Sequence, residues 1–274
     1  MKEFGKSKWI AAALAVTAGT GVLFGAEVLK IEKASDLLGT RNLTENAAEK
    51  SITASGRYAR VTSKPFPVDP AKKYKLSGKF RAAPGTAGEV FYFGFIPLDE
   101  KGRQIASEYV NVPKKGTDTE LAAPARKGDT VVKVKDASKW DMLTPWGVIA
   151  FNAKDDCSDL PNRDVTQIAE KKIEKKGDVW EVTLKKPVAK DYPAGTRVRQ
   201  QRFGATYLYT AGPGKKAPAD WQEFSGNVQG IVPAGNPSYK WWNGTKQAQI
   251  LVIMNYATKD GKTEFKDIVL ETID

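Results

Sequence analysis

Val90-Phe-Tyr-Phe-Gly-Phe-Ile-Pro-Leu98 is an uncharged, aromatic-rich run closed by Asp99-Glu100-Lys101-Gly102. A short apolar run rich in aromatic residues and bounded by turn residues reads as a strand buried on both faces. The acidic, glycine-containing tetrapeptide after it reads as a hairpin turn, leading into a further strand over Gln104–Val112. Upstream, Tyr74–Ala82 alternates strictly. Tyr74, Leu76, Gly78 and Phe80 fall on one face, and lysines and Ser77 on the other, as a half-buried strand requires. Tyr58–Thr62 is another short strand, whereas residues 27–50 give no clear reading.

The same punctuation continues downstream. Lys127-Gly128-Asp129 is a turn before the valine alternation of Thr130–Lys135. Trp146–Phe151 is apolar, and Val165–Ile173 and Asp178–Leu184 flank Lys175-Lys176-Gly177. Tyr192-Pro193-Ala194-Gly195 turns into Thr196–Arg199. Ala205–Thr210 is an aromatic strand followed by a Gly212-Pro213-Gly214 loop, and a strand starts at Trp221. Gln247–Tyr256 and Glu264–Leu270 close the chain across Lys259-Asp260-Gly261-Lys262. Short strands with regular turns and no long amphipathic helix predict an all-β sandwich or barrel.

Composition narrows the chemistry. The 274 residues include no histidine and a single cysteine, Cys157. That removes the commonest general base and every Ser-His or Cys-His dyad. It also rules out an internal disulfide and a multi-cysteine zinc site. The formal charge of +11 invites a polyanionic partner. The lysines, however, are scattered in pairs such as Lys72-Lys73, Lys114-Lys115 and Lys185-Lys186, with no run of five. They read as solvated strand ends and turns, and nucleic acid is not expected as a partner. Lys2, Lys6 and Lys8 precede an uncharged stretch from Trp9 that ends in small residues at Gly25 and Ala26. This is the pattern of a secretory signal peptide over residues 1–26, with an uncleaved anchor as the alternative reading. It predicts a secreted or periplasmic protein. No second long apolar stretch follows, so the rest of the chain is not expected to span a membrane.

Five segments, in order, resemble the galactose-binding-like, jelly-roll carbohydrate-binding modules. They are Lys73–Phe80, Val90–Asp99 with Gly102, Asp220-Trp-Gln-Glu-Phe-Ser225, Gln247–Ile253 and Phe265-Lys-Asp-Ile-Val-Leu-Glu271. The resemblance implies a jelly-roll β-sandwich built from 27–124 and 200–274. The intervening residues 125–199 look like a small inserted β module, carried by Lys127–Ser138 and Leu184–Val198. The resemblance further implies non-catalytic glycan binding and a structural calcium near the last strand. Asp267 occupies the family's acidic position there, while Lys266 stands where a second acid is usual. In the family, Trp221 matches a core position.

Two constellations stand out from the residues themselves. Trp241-Trp242-Asn243 follows a Gly/Pro-containing loop. Sugar rings stack on indoles while amides serve their hydroxyls, and alternation in an extended segment would turn one indole outward. The other reading packs both indoles in the core. Tyr92, Tyr207 and Tyr209 are further stacking candidates. The acidic loop Asp155-Asp156-Cys157-Ser158-Asp159-Leu160-Pro161-Asn162-Arg163-Asp164, with four carboxylates and an asparagine in ten residues, is a second candidate calcium site, chiefly through Asp155, Asp156 and Asp159. Alternatively it is an Asx-rich loop capping its own backbone, with Arg163 neutralising one charge.

The leading expectation is therefore an exported protein that binds polysaccharide or another glycan by aromatic stacking. A structural or assembly protein of the envelope or an extracellular layer is the alternative. A lyase or hydrolase acting on acidic glycan is a third, although no carboxylate pair is singled out by spacing.

Overall fold

Alternation in Lys73–Ala82 translates directly into packing, since every second side chain is buried. In the computed structural model, which describes residues 26–39 and 42–273, this strand is the second in a sheet. The order is Gln222–Gln229, Lys73–Ala82, Lys262–Ile273, Ser51–Ser55 and Leu43–Asn46, with Ala26–Ile31 also paired to Lys262–Ile273. A second sheet runs Leu208–Lys216, Val90–Leu98, Gln247–Met254, Ala59–Ser63 and Leu37–Leu38, with Phe66–Pro67 also on Gln247–Met254. Neighbouring strands pair antiparallel throughout. The proposed targeting segment, apart from Ala26, lies outside the described residues. Among the described residues no helix is long and apolar enough to cross a membrane.

The two sheets share one core. Leu76 and Phe80 from the first and Phe91, Phe93, Phe95, Ile250 and Val252 from the second are fully buried in a single cluster with Phe265, Ile268 and Leu270. Phe80 stacks on Phe91 at 4.4 Å between ring centroids and lies 5.0 Å from Phe93. The expected jelly-roll sandwich is thus the observed architecture, with the two flanking stretches of chain folded together.

The apolar run at 90–98 is buried on both faces, as its composition implies. Phe91, Phe93 and Phe95 point between the sheets. Ile96 and Leu98 join Leu251 and Ile253 in a smaller cluster covered by Tyr92, Tyr207 and Tyr209. Gly94 belongs to that outer side. A Cβ there would sit 2.0 Å from the Leu208 carbonyl oxygen, so only glycine lets Leu208–Lys216 pass this closely.

Two expected elements differ. Gln104–Val112 is not a strand: it makes one bridge, Leu98 to Gln104, and then a 3-10 turn at Ser107–Tyr109. Gly212-Pro213-Gly214 is not a loop but part of Leu208–Lys216, which pairs with Val90–Leu98 through two register shifts. This strand is at the sheet's edge, where the missing proline N–H breaks no ladder bond.

Residues 119–202 form a third sheet, wider at both ends than the 125–199 read from the sequence. Its order is Val131–Val134, Val179–Leu184, Val165–Lys176, Gly147–Phe151, Arg197–Arg202 and Thr119–Glu120. The sheet has its own core of Leu121, Val132, Val134, Trp140, Ile149, Phe151, Ile168, Val182, Leu184 and Val198. Phe151 stacks on Tyr192 at 4.1 Å.

Polar bonds fix this sheet to the sandwich. Asp99, in the turn after the apolar strand, accepts from the N–H groups of Lys101 and Arg103 on one oxygen (both 2.9 Å). Its other oxygen accepts from Arg103 Nε at 2.8 Å and Arg163 Nη2 at 3.0 Å. Arg163 also donates to the Gln104 carbonyl at 2.9 Å and lies over the Tyr109 ring. The expected role of Arg163, neutralising its own acidic loop, is corrected: its partner is Asp99. Asn162 N–H donates to the Tyr109 carbonyl at 2.8 Å, and Gln201 Nε2 to that of Glu108 at 3.0 Å.

Two outcomes follow from this packing. Gly94→Ala should lower stability by about 1–3 kcal/mol through overpacking against backbone, read as a lowered urea midpoint; an unchanged midpoint would contradict the close passage. Burial alone would raise the Asp99 pKa, but the bonds from Arg103 and Lys101 more than offset it and hold the carboxyl below the usual range. A depressed folded-state pKa stabilises above the unfolded value and is lost as pH falls through the folded one. Melting temperature should therefore drop below about pH 4, and Asp99→Asn should be less stable at pH 7 with a flatter acid limb.

Candidate functional site

Trp241 and Trp242 are both completely buried, which corrects the expectation that one faces outward. The segment is not extended strand: Trp241 makes a single parallel bridge to Ile231, and Asn243-Gly244 turns immediately after it. Alternation therefore does not apply. Trp241 packs 5.0 Å from Phe95 and edge-on to Tyr74 at 5.6 Å. Trp242 Nε1 donates to the Pro237 carbonyl at 3.1 Å, and Asn243 Nδ2 to that of Pro233 at 2.7 Å. The three residues secure the 230–246 loop to the end of the sandwich and offer no stacking face. Trp221, expected in the core, is instead half-buried at the surface, between the Arg81 guanidinium at 4.5 Å and the Lys266 ammonium at 4.3 Å.

The acidic loop resolves into internal pairs. Asp155 pairs with Arg197. Asp156 accepts from the Ser158 N–H at 3.0 Å, which holds its carboxyl below the usual range. Asp159 accepts from Arg199 Nη2 at 2.8 Å, from Asn162 Nδ2 at 2.9 Å and from the Lys154 N–H at 3.1 Å. Cys157 sits beside Arg199, 3.7 Å from its guanidinium, and burial pushes the thiol pKa up. A raised pKa suits an inert thiol rather than a nucleophile.

Asp267 lies at the bulge in Lys262–Ile273 with φ of 54° and pairs with Lys79 at 3.0 Å. It lines a surface hollow of about 500 Å³ shared with Glu32, Glu45, Lys30 and Lys50. Glu32 pairs with Lys30, and Glu45 accepts from the Ala34 N–H at 2.7 Å. Calcium requires several oxygens converging on one point. Among the described residues no group of three or more His, Cys, Asp and Glu side chains is placed to hold a metal ion. Neither the Asp267 hollow nor the Asp155, Asp156 and Asp159 loop, as arranged, fits calcium.

Tyr92 and Tyr207 fare differently, because the structure brings them to one surface. On the outer face of the second sheet five tyrosine rings adjoin in sequence. Tyr58 is 5.6 Å from Tyr256, which is 5.0 Å from Tyr92; Tyr92 is 4.8 Å from Tyr209, and Tyr209 is 6.0 Å from Tyr207. The Arg60 guanidinium lies over Tyr207 at 5.6 Å. Tyr58 and Tyr256 are the most open, at 44% and 45% exposure. Among the described residues none of the five phenol oxygens hydrogen-bonds to another protein group, so all remain for a partner.

The ladder is held from behind. Buried Asn255 donates through Nδ2 to the carbonyls of Ala54, Gly56 and Gly261, at 3.1, 3.0 and 2.9 Å, and accepts from Thr263 Oγ1 at 2.8 Å. Its neighbour Tyr256 donates its N–H to the Val90 carbonyl at 3.0 Å, and Tyr58 to that of Asn255 at 2.9 Å. Burial, chiefly, raises the pKa of Tyr58 and Tyr209, with the neighbouring phenols adding to it. Phenols shifted upward are poor proton abstractors at neutral pH. In the sequence Tyr58 and Tyr256 read only as end residues of strands, and nothing there shows that these two strand ends are neighbours; the signal is a tyrosine at each of them.

No protein-family model matches the chain, and no curated protein matches it significantly. Among solved structures, the chain is similar to the CBM22-1 xylan-binding domain of Paenibacillus barcinonensis Xyn10C, at 7% identity and a TM-score of 0.30, over 91% of this chain and 96% of that one. At that score the likeness carries no residue or ligand across.

The carboxylate pairings make a direct forecast. Melting temperature in millimolar calcium and in chelator should coincide, and Asp267→Asn should respond to calcium as the wild type does; a calcium-dependent rise would overturn the reading of Asp267 as a lysine partner.

Proposed function

We propose that the chain is an exported, non-catalytic glycan-binding sandwich whose binding face is the tyrosine ladder Tyr58–Tyr256–Tyr92–Tyr209–Tyr207. The observation that carries this reading is the contiguity of five rings on one outer sheet face with unpaired hydroxyls. Aromatic faces take the C–H side of sugar rings, and phenol hydroxyls and the Arg60 guanidinium serve the sugar oxygens. The ladder is a surface rather than a pocket, so it suits a run of linked sugars better than a single one. Support for a non-catalytic role comes from the absence of histidine, the raised Cys157 and tyrosine pKa values and the capture of the loop carboxylates by arginines and amides. Export rests on the basic and apolar pattern of residues 1–26.

The test is retention on immobilised neutral and acidic polysaccharides in native affinity gels. Wild type should be retarded by at least one polymer. Tyr58→Ala and Tyr256→Ala should each weaken that retention about five- to tenfold, the value of one stacked ring. Retardation by no glycan, or tyrosine variants that migrate as wild type does, would remove the proposal.

A further inference from the structure

The seam between the sandwich and the 119–202 sheet contains a cleft that neither the tyrosine ladder nor the fold requires. It has a volume of about 690 Å³ and is lined by Asn111, Trp146, Gln167, Arg202, Phe203 and Thr206, among others. Trp146 is 54% exposed, although it is a large apolar side chain next to a fully buried strand, Gly147–Phe151. An open indole beside polar groups at the mouth of a concave site has the composition of a ligand pocket wall.

The cleft walls are preformed. Phe203 N–H donates to the Trp146 carbonyl at 2.9 Å, and Arg202 N–H to the Asn111 carbonyl at 3.0 Å. Gly204 N–H donates to Ser107 Oγ at 3.0 Å. Each bond ties the end of Arg197–Arg202 either to the loop that carries Trp146 or to the sandwich connection. The Asn236 side-chain amide packs closely over Gly204, 2.2 Å from where a Cβ would stand. The three backbone N–H bonds hold the cleft walls together without a ligand, which lowers the ordering cost of binding.

The electrostatics select the ligand class. Among the described residues no carboxylate lines the cleft. Arg202 makes no ion pair and no side-chain hydrogen bond among the described residues, unlike its neighbours Arg197 and Arg199, which both pair with aspartates. A half-buried guanidinium without an anion favours a carboxylate, which it can grip through two parallel bonds. Asn111, Gln167 and Thr206 supply both donors and acceptors, as ring hydroxyls require. A single guanidinium with one indole matches a sugar bearing one carboxylate. A polyphosphate would call for clustered cations or a row of backbone amides.

We propose that this seam cleft is a second, independent binding site that takes an acidic saccharide, with the ring on Trp146 and its carboxylate on Arg202. It requires the sandwich and the third sheet together, since Asn111 and Arg202 come from opposite sides of the seam. None of the five ladder tyrosines lines the cleft, although Thr206 adjoins Tyr207 in the chain, and the proposed contacts to Trp146 and Arg202 do not use the ladder.

The experiment titrates the folded full chain with trimers of galacturonate, glucuronate and mannuronate, each beside its fully methyl-esterified form. Readouts are calorimetry and the indole N–H cross-peaks of the seven tryptophans. At least one free-acid trimer should bind and shift the Trp146 cross-peak while the buried indoles stay in place. Its methyl ester should bind about tenfold more weakly. Trp146→Ala should lose about tenfold in affinity, and Arg202→Met should erase the preference for the free acid. Melting curves and cross-peak dispersion check that both variants remain folded. Should no trimer bind, or acid and ester bind equally, or the Trp146 cross-peak stay fixed, the proposal is overturned. Loss of the tyrosine-ladder activity alone would leave these readouts unaffected.

Discussion

Seven consecutive residue pairs, from Gln247 against Leu98 to Ile253 against Tyr92, place Gln247–Met254 beside Val90–Leu98 in the middle of the second sheet. The residues joined are about 150 apart in the chain, so closing this ladder has a large entropic cost that local contacts cannot repay. What offsets it is burial: Phe91, Phe93 and Phe95 on one strand and Ile250 and Val252 on the other are removed from water in the same core. The rest of the sandwich depends on this junction. The outer cluster of Ile96, Leu98, Leu251 and Ile253 exists only when the two strands are adjacent, and that cluster is the floor on which the tyrosines lie.

The sandwich was largely legible in the sequence because its strands announce themselves by period. Tyr74, Leu76 and Phe80 are buried where alternation puts them, and the uncharged run at 90–98 is covered on both faces. Irregular backbone was less legible. Gln104–Val112 has strand composition, yet the chain turns at Ser107–Tyr109 because it must meet the third sheet through Asn162 and Gln201. A bond to a partner many residues away leaves no periodic trace.

The sites were legible in part. Tyr92 and Tyr207 could be chosen as aromatic strand residues, but their assembly with Tyr58, Tyr209 and Tyr256 depends on which strands neighbour one another. Trp241 and Trp242 misled because two indoles beside an asparagine have the composition of a sugar site, whereas a loop end capping a core needs the same bulk. The carboxylates misled for a related reason. Clustered acids in a chain this rich in arginine and lysine find cations of their own, as Asp155, Asp159 and Asp267 do. Trp146 gave no signal at all, since only the tertiary seam makes its exposure meaningful.

The strand orders also dictate a sequence of events during synthesis. Lys73–Ala82 lies between Gln222–Gln229 and Lys262–Ile273, and Val90–Leu98 between Leu208–Lys216 and Gln247–Met254. Both early strands thus have only late neighbours on either side. As the chain emerges from the ribosome or a translocation pore, these two strands have no partner yet, although shorter pairs such as Leu43–Asn46 with Ser51–Ser55 are already present. The 119–202 sheet, whose strands all pair among themselves, can close as soon as Arg202 appears. The exposed phenylalanine-rich strand must wait with its apolar surface open until the last thirty residues arrive, an interval in which a holding chaperone would be of most use.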